Sequence, residues 1–131
     1  MAQQNLQIVL DAFAAYMAGD EAVMFGVASP EIVVTQFPDQ LDVRDFRGHD
    51  GLRQAMEEWV GTWDDWTIEM LDASEEGELV FATAIQRGRG KGSGVPMESL
   101  VVFVFTVRDG MVARWRMFHD DEEARAAVGL G

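Results

Sequence analysis

The spacing of apolar residues changes along the chain, and this change restricts the fold more than any other feature. In most of the first half, apolar residues recur at intervals of three and four, whereas from Asp65 onward they alternate with polar ones. The first spacing is that of a helix with one buried face, and the second is that of a half-buried strand. The sequence therefore predicts an α+β fold in which helices pack on one face of a sheet.

Two helices are predicted at the start of the chain. Gly19 is suited to end the first helix and Asp20 to cap the second, which should stop before Pro30. The first helix is expected over about residues 3 to 18, with an apolar face made by Leu6, Val9, Leu10, Phe13, Tyr16 and Met17.

A strand and a third helix follow. Residues 31–37 are rich in β-branched side chains, which favours a strand, and residues 38–47 are polar and aperiodic, as expected of a loop over a pocket mouth. The third helix is predicted to open at Gly48, and its apolar stripe consists of Leu52, Met56, Trp59, Val60 and Trp63.

The second half is predicted to form four antiparallel strands and a short terminal helix. Gly88 to Gly94 is expected to be a loop, Arg108-Asp109-Gly110 a tight hairpin turn, and residues 120–128 the helix. The strands are expected from residue 65 onward and over residues 79–87, 97–107 and 111–119. No repeat or linker divides the chain, so we expect one domain over residues 1–131.

Charge and composition exclude several functional classes. The formal net charge is −13, with 23 acidic and 10 basic residues, so nucleic acids and anionic membranes are not expected as partners. The chain has no cysteine and 2 histidines, and its glycine-rich stretch matches neither nucleotide-binding spacing, so neither metal nor cofactor is expected. Without a signal peptide or a long apolar run, a cytoplasmic protein is expected.

Three local patterns carry a resemblance to a known superfamily. They are Ala18-Gly19-Asp20 after the first helix, the stretch from Phe46 to Leu52 that opens the third, and Arg108 to Val112 followed by Arg114-Trp115. In this order, the chain resembles the nuclear transport factor 2-like superfamily, and within it the SnoaL-like domains related to polyketide cyclases and ketosteroid isomerase. The resemblance covers almost the entire chain. It implies a cystatin-like α+β roll, in which a curved antiparallel or mixed sheet forms a cone and helices cover its concave face.

The resemblance also implies a pocket inside the cone. Alternation along the last two long strands would place one set of side chains in it, namely Ser99, Val101, Phe103, Phe105, Trp115, Met117 and His119. The helices would roof it with Phe13, Tyr16, Met17, Met56, Trp59 and Trp63. The sequence does not determine which face of the strand over residues 79–87 points inward.

The catalytic residues of ketosteroid isomerase do not carry over. Its base, tyrosine and acid positions fall near Gln36, Ala12 and Phe103, and none of these can perform the corresponding role. Gln36 stays a predicted pocket residue. The remaining candidates for acid–base chemistry are His119, because histidine commonly serves as a general acid or base, and Tyr16. Either could instead be structural, His119 as an exposed strand end and Tyr16 as a core tyrosine.

Two functions follow as hypotheses. The first is a domain that binds a small, largely apolar, carbonyl-bearing molecule and transforms it by metal-free acid–base chemistry. The second is a non-catalytic module for ligand binding or dimerisation. A homodimer is expected in both cases, because the convex sheet face is too apolar for full exposure, with Leu100, Val102, Val104, Arg114, Arg116 and Phe118.

Overall fold

The computed structural model describes residues 4–37 and 45–129, so residues 38–44 of the predicted loop over residues 38–47 lie outside the described residues. The helices are α1 (Gln4–Met17), α2 (Glu21–Val27), α3 (Gly48–Val60) and α4 (Asp121–Ala127). The strands are β1 (Ala28–Thr35), β2 (Asp45–Arg47), β3 (Trp63–Glu76), β4 (Leu79–Gly90), β5 (Pro96–Arg108) and β6 (Met111–Phe118).

The six strands form one curved, unclosed, mixed sheet in the order β2-β1-β6-β5-β4-β3. β1 runs parallel to β6, and the other neighbouring pairs are antiparallel. The turn between β5 and β6 has positive φ at Asp109 (53°) and Gly110 (77°), which matches the right-handed twist of a hairpin. The predicted α+β fold with a curved sheet is confirmed.

The strand register assigns side chains to the two faces of the sheet. Phe105 pairs with Trp115 on β6 and with Val80 on β4, and Phe103 pairs with Met117 and Ala82. Because side chains alternate, these residues share the concave face, together with Ala84 and Gln86 further along β4. The inward face of β4, which the sequence left open, is therefore the face of Val80 and Gln86.

The main core lies between the concave face and the helices. Val9 of α1 and Leu52 and Ala55 of α3 are almost completely buried against concave-face residues such as Val80 and Val101. Each fully buried side chain of valine or leucine size contributes roughly 1.5–3 kcal/mol relative to exposure. The two helices are therefore held over the hollow of the sheet by apolar packing.

The convex face is covered in part by the chain itself. Asp120 caps α4 by accepting a hydrogen bond from the Glu123 amide at 2.7 Å. Ala124 of this helix is fully buried in a second core cluster with Phe81, Val102, Val104 and Phe118. Three of the residues that motivated the expected homodimer are thus buried within one chain, and Leu100 is 44% exposed. The homodimer stays a prediction with a smaller apolar surface to support it.

Several element bounds differ from the sequence-based expectation. α3 ends at Val60, so Trp63 begins β3 instead of extending the helical stripe. β1 begins before Pro30, which the strand tolerates at an irregularity in its pairing with β6 between Ala28 and Val33. β2 lies within the predicted loop and pairs with β1, and β4 extends into the glycine-rich stretch as far as Gly90.

Candidate functional site

A cavity of about 70 Å³ lies between the concave face and the helices α1 to α3. A buried water needs roughly 10–15 Å³ by the same measure, so the space would hold several waters, and it is about half the volume of an engineered cavity of about 150 Å³ that binds benzene. Its wall is almost entirely apolar. The aromatic side chains on it are Phe13, Tyr16, Trp59, Trp66, Phe103, Phe105 and Trp115.

Four aromatic rings pack against one another on one side of the cavity. Phe13 of α1 stacks on Phe103 with 5.6 Å between ring centroids, and Phe105 stacks on Trp115 at 5.4 Å. Phe103 and Trp115 meet edge to face at 5.3 Å. These offset and edge-to-face arrangements are favourable for aromatic pairs, and they give the wall flat apolar surfaces.

Gln86 is the single buried polar residue among the residues that the structure describes, at 2% exposure, and it belongs to the cavity wall. Its Oε1 accepts hydrogen bonds from Trp59 Nε1 at 2.6 Å and from Trp66 Nε1 at 2.9 Å. Trp59 comes from the last turn of α3 and Trp66 from β3. A helix and an edge strand thus hold one side chain in a fixed orientation.

Trp115 contributes a second polar group to the same wall. Its Nε1 is buried, and none of the described residues accepts a hydrogen bond from it. A buried donor without an acceptor costs roughly 1–3 kcal/mol, so such a group calls for an explanation. The Trp63 Nε1 is likewise buried and unpaired among the described residues, but Trp63 is not part of the cavity wall.

Tyr16 lies where the cavity meets an outer depression. This outer depression has a volume of about 280 Å³ and shares Tyr16, Met24 and Met56 with the inner cavity. Burial raises the pKa of the Tyr16 hydroxyl, and the nearby Glu21 carboxylate raises it further. The hydroxyl is therefore protonated at neutral pH and available as a hydrogen-bond donor.

His119 lies outside the cavity wall. β6 ends at Phe118, where the chain turns towards α4, so the alternation that would place this side chain inward stops one residue too early. The exposed imidazole stacks on Phe37 with 4.5 Å between centroids and 14° between planes. The structure does not bring His119 together with Tyr16 at the cavity, contrary to the expectation from alternation.

The other predicted pocket residues divide into two groups. The cavity wall includes Phe13, Met56, Trp59, Phe103, Phe105, Trp115 and Met117, together with Tyr16. It does not include Met17, Gln36, Trp63, Ser99 or Val101. Met17 is 42% exposed at the end of α1, Gln36 follows the end of β1, and Val101 is fully buried in the core. Ser99 faces inward opposite Gln86, beyond the cavity wall.

Two wall residues with polar atoms were missed by the sequence reasoning, Gln86 and Trp66. The inward positions of β4 read Val-Ala-Ala-Gln and the outward ones Phe-Thr-Ile-Arg, so hydrophobicity does not distinguish the two faces. A glutamine within an otherwise apolar alternation was the available signal. The pairing of β4 with β5 is needed to show that Gln86 faces inward.

Two kinds of site are not found in the described part of the chain. Over residues 4–37 and 45–129, no helix is long and apolar enough to cross a membrane. Within the same ranges, no group of three or more His, Cys, Asp or Glu side chains is arranged to hold a metal ion.

Comparisons with known proteins give one family and many similar structures. The family model of the SnoaL-like domain matches residues 9–115. No curated protein matches the sequence significantly.

Three solved structures represent the similar folds. An NTF2-like protein of Burkholderia thailandensis E264 is 24% identical, with a TM-score of 0.80 over 95% of this chain and 96% of that one. A candidate SnoaL-like polyketide cyclase of Jannaschia sp. CCS1 is 19% identical, with a TM-score of 0.78 over 99% and 94%. TerC, co-crystallised with polyporic acid, is 17% identical, with a TM-score of 0.75 over 96% of both chains.

Proposed function

The chain belongs to the SnoaL-like domain family, and on this premise we propose that it binds a small, largely apolar, carbonyl-bearing molecule in the cavity of the cone. The observation that carries the proposal is the apolar, aromatic-lined cavity between the concave face and α1 to α3. Concave, mostly apolar sites with a few placed polar groups are the usual form of small-molecule sites. TerC, a protein of similar fold, was co-crystallised with a small organic molecule, polyporic acid.

A carbonyl group is favoured because the polar groups of the wall are hydrogen-bond donors. The amide nitrogen of Gln86 and the indole nitrogen of Trp115 can only donate, and the protonated hydroxyl of Tyr16 can donate as well. A carbonyl oxygen accepts hydrogen bonds and has none to donate, so it complements such a wall. A ligand with a flat apolar body and one such oxygen would satisfy both parts of the site.

Binding is favoured over acid–base turnover. Among the described wall residues, the titratable side chain is Tyr16, and its raised pKa makes it a poor base at neutral pH. His119, the other candidate, is exposed and stacks on Phe37 outside the wall. We therefore propose a binding module, and Tyr16 is assigned the role of a donor at the cavity mouth.

A substitution that fills the cavity tests this function. Ala12 lies on the cavity wall, and Ala14, two residues further along α1, is exposed. We expect Ala12→Leu to weaken the binding of aromatic ketones more than 10-fold and Ala14→Leu to leave it unchanged, because only the first new side chain occupies ligand space. Tryptophan fluorescence is a suitable readout, since Trp59, Trp66 and Trp115 line the cavity. Thermal unfolding of both variants verifies that they are folded. Equal binding by the two folded variants would contradict the proposal.

A further inference from the structure

We propose that Gln86 determines the specificity of the cavity by donating a hydrogen bond to the ligand carbonyl, so that ketones and related acceptor-only groups are selected over alcohols and hydrocarbons of the same shape. This inference rests on the proposed function, because it assigns the group within the cavity that recognises the ligand.

The two indole donors determine which end of the amide is which. Trp59 Nε1 and Trp66 Nε1 both point at the same atom of Gln86, at 2.6 Å and 2.9 Å. Indole nitrogen can only donate, so the atom that receives both bonds is the oxygen. The reversed amide would place its own N–H donors against two indole donors and would lose both hydrogen bonds in a buried place. The amide nitrogen is therefore held in one position.

The amide nitrogen is left with unused donor capacity. Gln86 is 2% exposed, and none of the described residues accepts a hydrogen bond from its Nε2. The side chain is part of the cavity wall, where its neighbours are mostly apolar. An acceptor on a bound ligand would satisfy this donor without disturbing the two indole bonds. The arrangement is a rigid donor prepared before the ligand arrives, which lowers the entropy lost on binding.

The same arrangement disfavours hydroxyl groups. An alcohol could accept a hydrogen bond from the Gln86 Nε2, but its own O–H would then need an acceptor inside the cavity. Of the side-chain acceptors in the wall, Gln86 Oε1 already receives two hydrogen bonds, and the Tyr16 hydroxyl lies at the cavity mouth. A hydroxyl hydrogen buried without a partner costs free energy, so a site built from donors discriminates against it. Carbonyl oxygens do not bear this cost.

The test compares ligands that differ in one group. The probes are two sets of aromatic compounds: 1-indanone with 1-indanol and indane, and 9-fluorenone with 9-fluorenol and fluorene. We expect the wild-type protein to bind the ketone of at least one set about 3- to 10-fold more tightly than its hydrocarbon and its alcohol, the range expected of one neutral hydrogen bond. Calorimetry or tryptophan fluorescence gives the dissociation constants.

Gln86→Met separates recognition from packing. The thioether side chain has a similar length and no N–H donor, but the substitution also removes the acceptor of the Trp59 and Trp66 indoles. We therefore expect the preference for ketones to fall, with any remaining preference depending on these two freed donors. Gln54→Met is the matched control, because Gln54 is exposed on α3 and the preference for ketones should persist. Thermal unfolding identifies variants that have lost their fold.

Gln86→Glu adds a readout that a merely structural role would not affect. The introduced carboxyl can donate to a ketone only while it is protonated, because an ionised carboxylate has no hydrogen to donate. We expect ketone affinity to be present at acidic pH and to fall as the pH rises through the pKa of this carboxyl, with hydrocarbon affinity less affected. The wild-type preference for ketones should not change over the same range.

The outcomes distinguish this inference from the proposed function. Failure of the wild-type protein to bind any member of either set would overturn the proposed function and the inference with it. Wild-type binding without preference for the ketone would overturn the role of Gln86 and leave the cavity as the binding site. A ketone preference that survives in folded Gln86→Glu at a pH where the introduced carboxyl is ionised would also overturn it and would transfer the role to Trp115 or Tyr16, because the carboxylate can keep both indole bonds and has no hydrogen to donate.

Discussion

Replacing Leu52 by alanine tests the packing of α3 over the sheet. Leu52 is 1% exposed and lies in the main core, with one side towards the cavity. Burying a leucine side chain contributes roughly 1.5–3 kcal/mol, and the void left by its removal adds about 24 cal/mol per Å³. Since Leu52 already faces an empty space on one side, it has fewer contacts to lose there. We expect a loss of about 3 kcal/mol in the free energy of unfolding, towards the lower end for such substitutions.

The expected change is large enough to measure by two methods. With an unfolding entropy of roughly 2.1 cal/mol/K per residue, the 131-residue chain loses about 11 °C in Tm for 3 kcal/mol. Urea unfolding followed by circular dichroism gives the free energy directly, provided that the m-value is unchanged. Leu71→Ala is the matched control, because Leu71 is 49% exposed and should lose under about 1 kcal/mol.

The same variant also reports on the cavity. Leu52→Ala joins new apolar space to the existing cavity of about 70 Å³, and engineered apolar cavities remain dry and bind benzene. Benzene should therefore raise the Tm of this variant more than that of the wild-type protein. The reasoning would be refuted by a destabilisation below about 1 kcal/mol for Leu52→Ala, or by equal losses for the two leucines.

Two further predictions follow from other parts of the fold. The single tyrosine of the chain, Tyr16, should ionise above its ordinary pKa of 10.0 in an ultraviolet titration. Glu21→Gln should bring that pKa down only in part, because burial is the larger cause. Because the pKa of Tyr16 is raised in the folded state, its contribution to stability is complete below the pKa of the unfolded state and is lost as the pH rises through the folded pKa. A measured Tyr16 pKa at or below 10.0 would contradict this prediction. For the homodimer, light scattering at micromolar concentration should give twice the monomer mass, and Leu100→Lys should reduce it, because Leu100 is an exposed apolar residue on the convex face. A monomeric wild-type protein would refute the dimer.

The architecture could be predicted because it depends on patterns that repeat over many residues. The helical spacing from Leu6 to Met17 and the alternation through Phe103 and Phe105 each involve a whole element, so a single unusual residue does not change the prediction. Errors arose where one residue decides a boundary. Trp63 continues the helical spacing of α3, but the chain leaves the helix after Val60 and uses Trp63 to begin β3.

The candidate site was predictable only in part, because its polar group depends on contacts between distant segments. Gln86 receives its hydrogen bonds from residues 27 and 20 positions earlier in the chain. No local spacing relates these three residues, and the face of β4 follows from its pairing with β5. His119 shows the opposite case: alternation along β6 predicted that it faces the cavity, but β6 ends at Phe118, one residue earlier, and His119 is not part of the cavity wall.

β3 runs for 14 residues along one edge of the open sheet. A strand of this length with a free side is normally a template on which a second molecule can add its own strand, the first step towards fibrous aggregates. Six of its residues are acidic and none is basic. Asp65, Glu69 and Glu76 form ion pairs with arginines, and the carboxylates of Asp64, Asp72 and Glu75 would still be brought together if two copies approached edge to edge. This negative charge disfavours extension of the sheet into a neighbouring molecule.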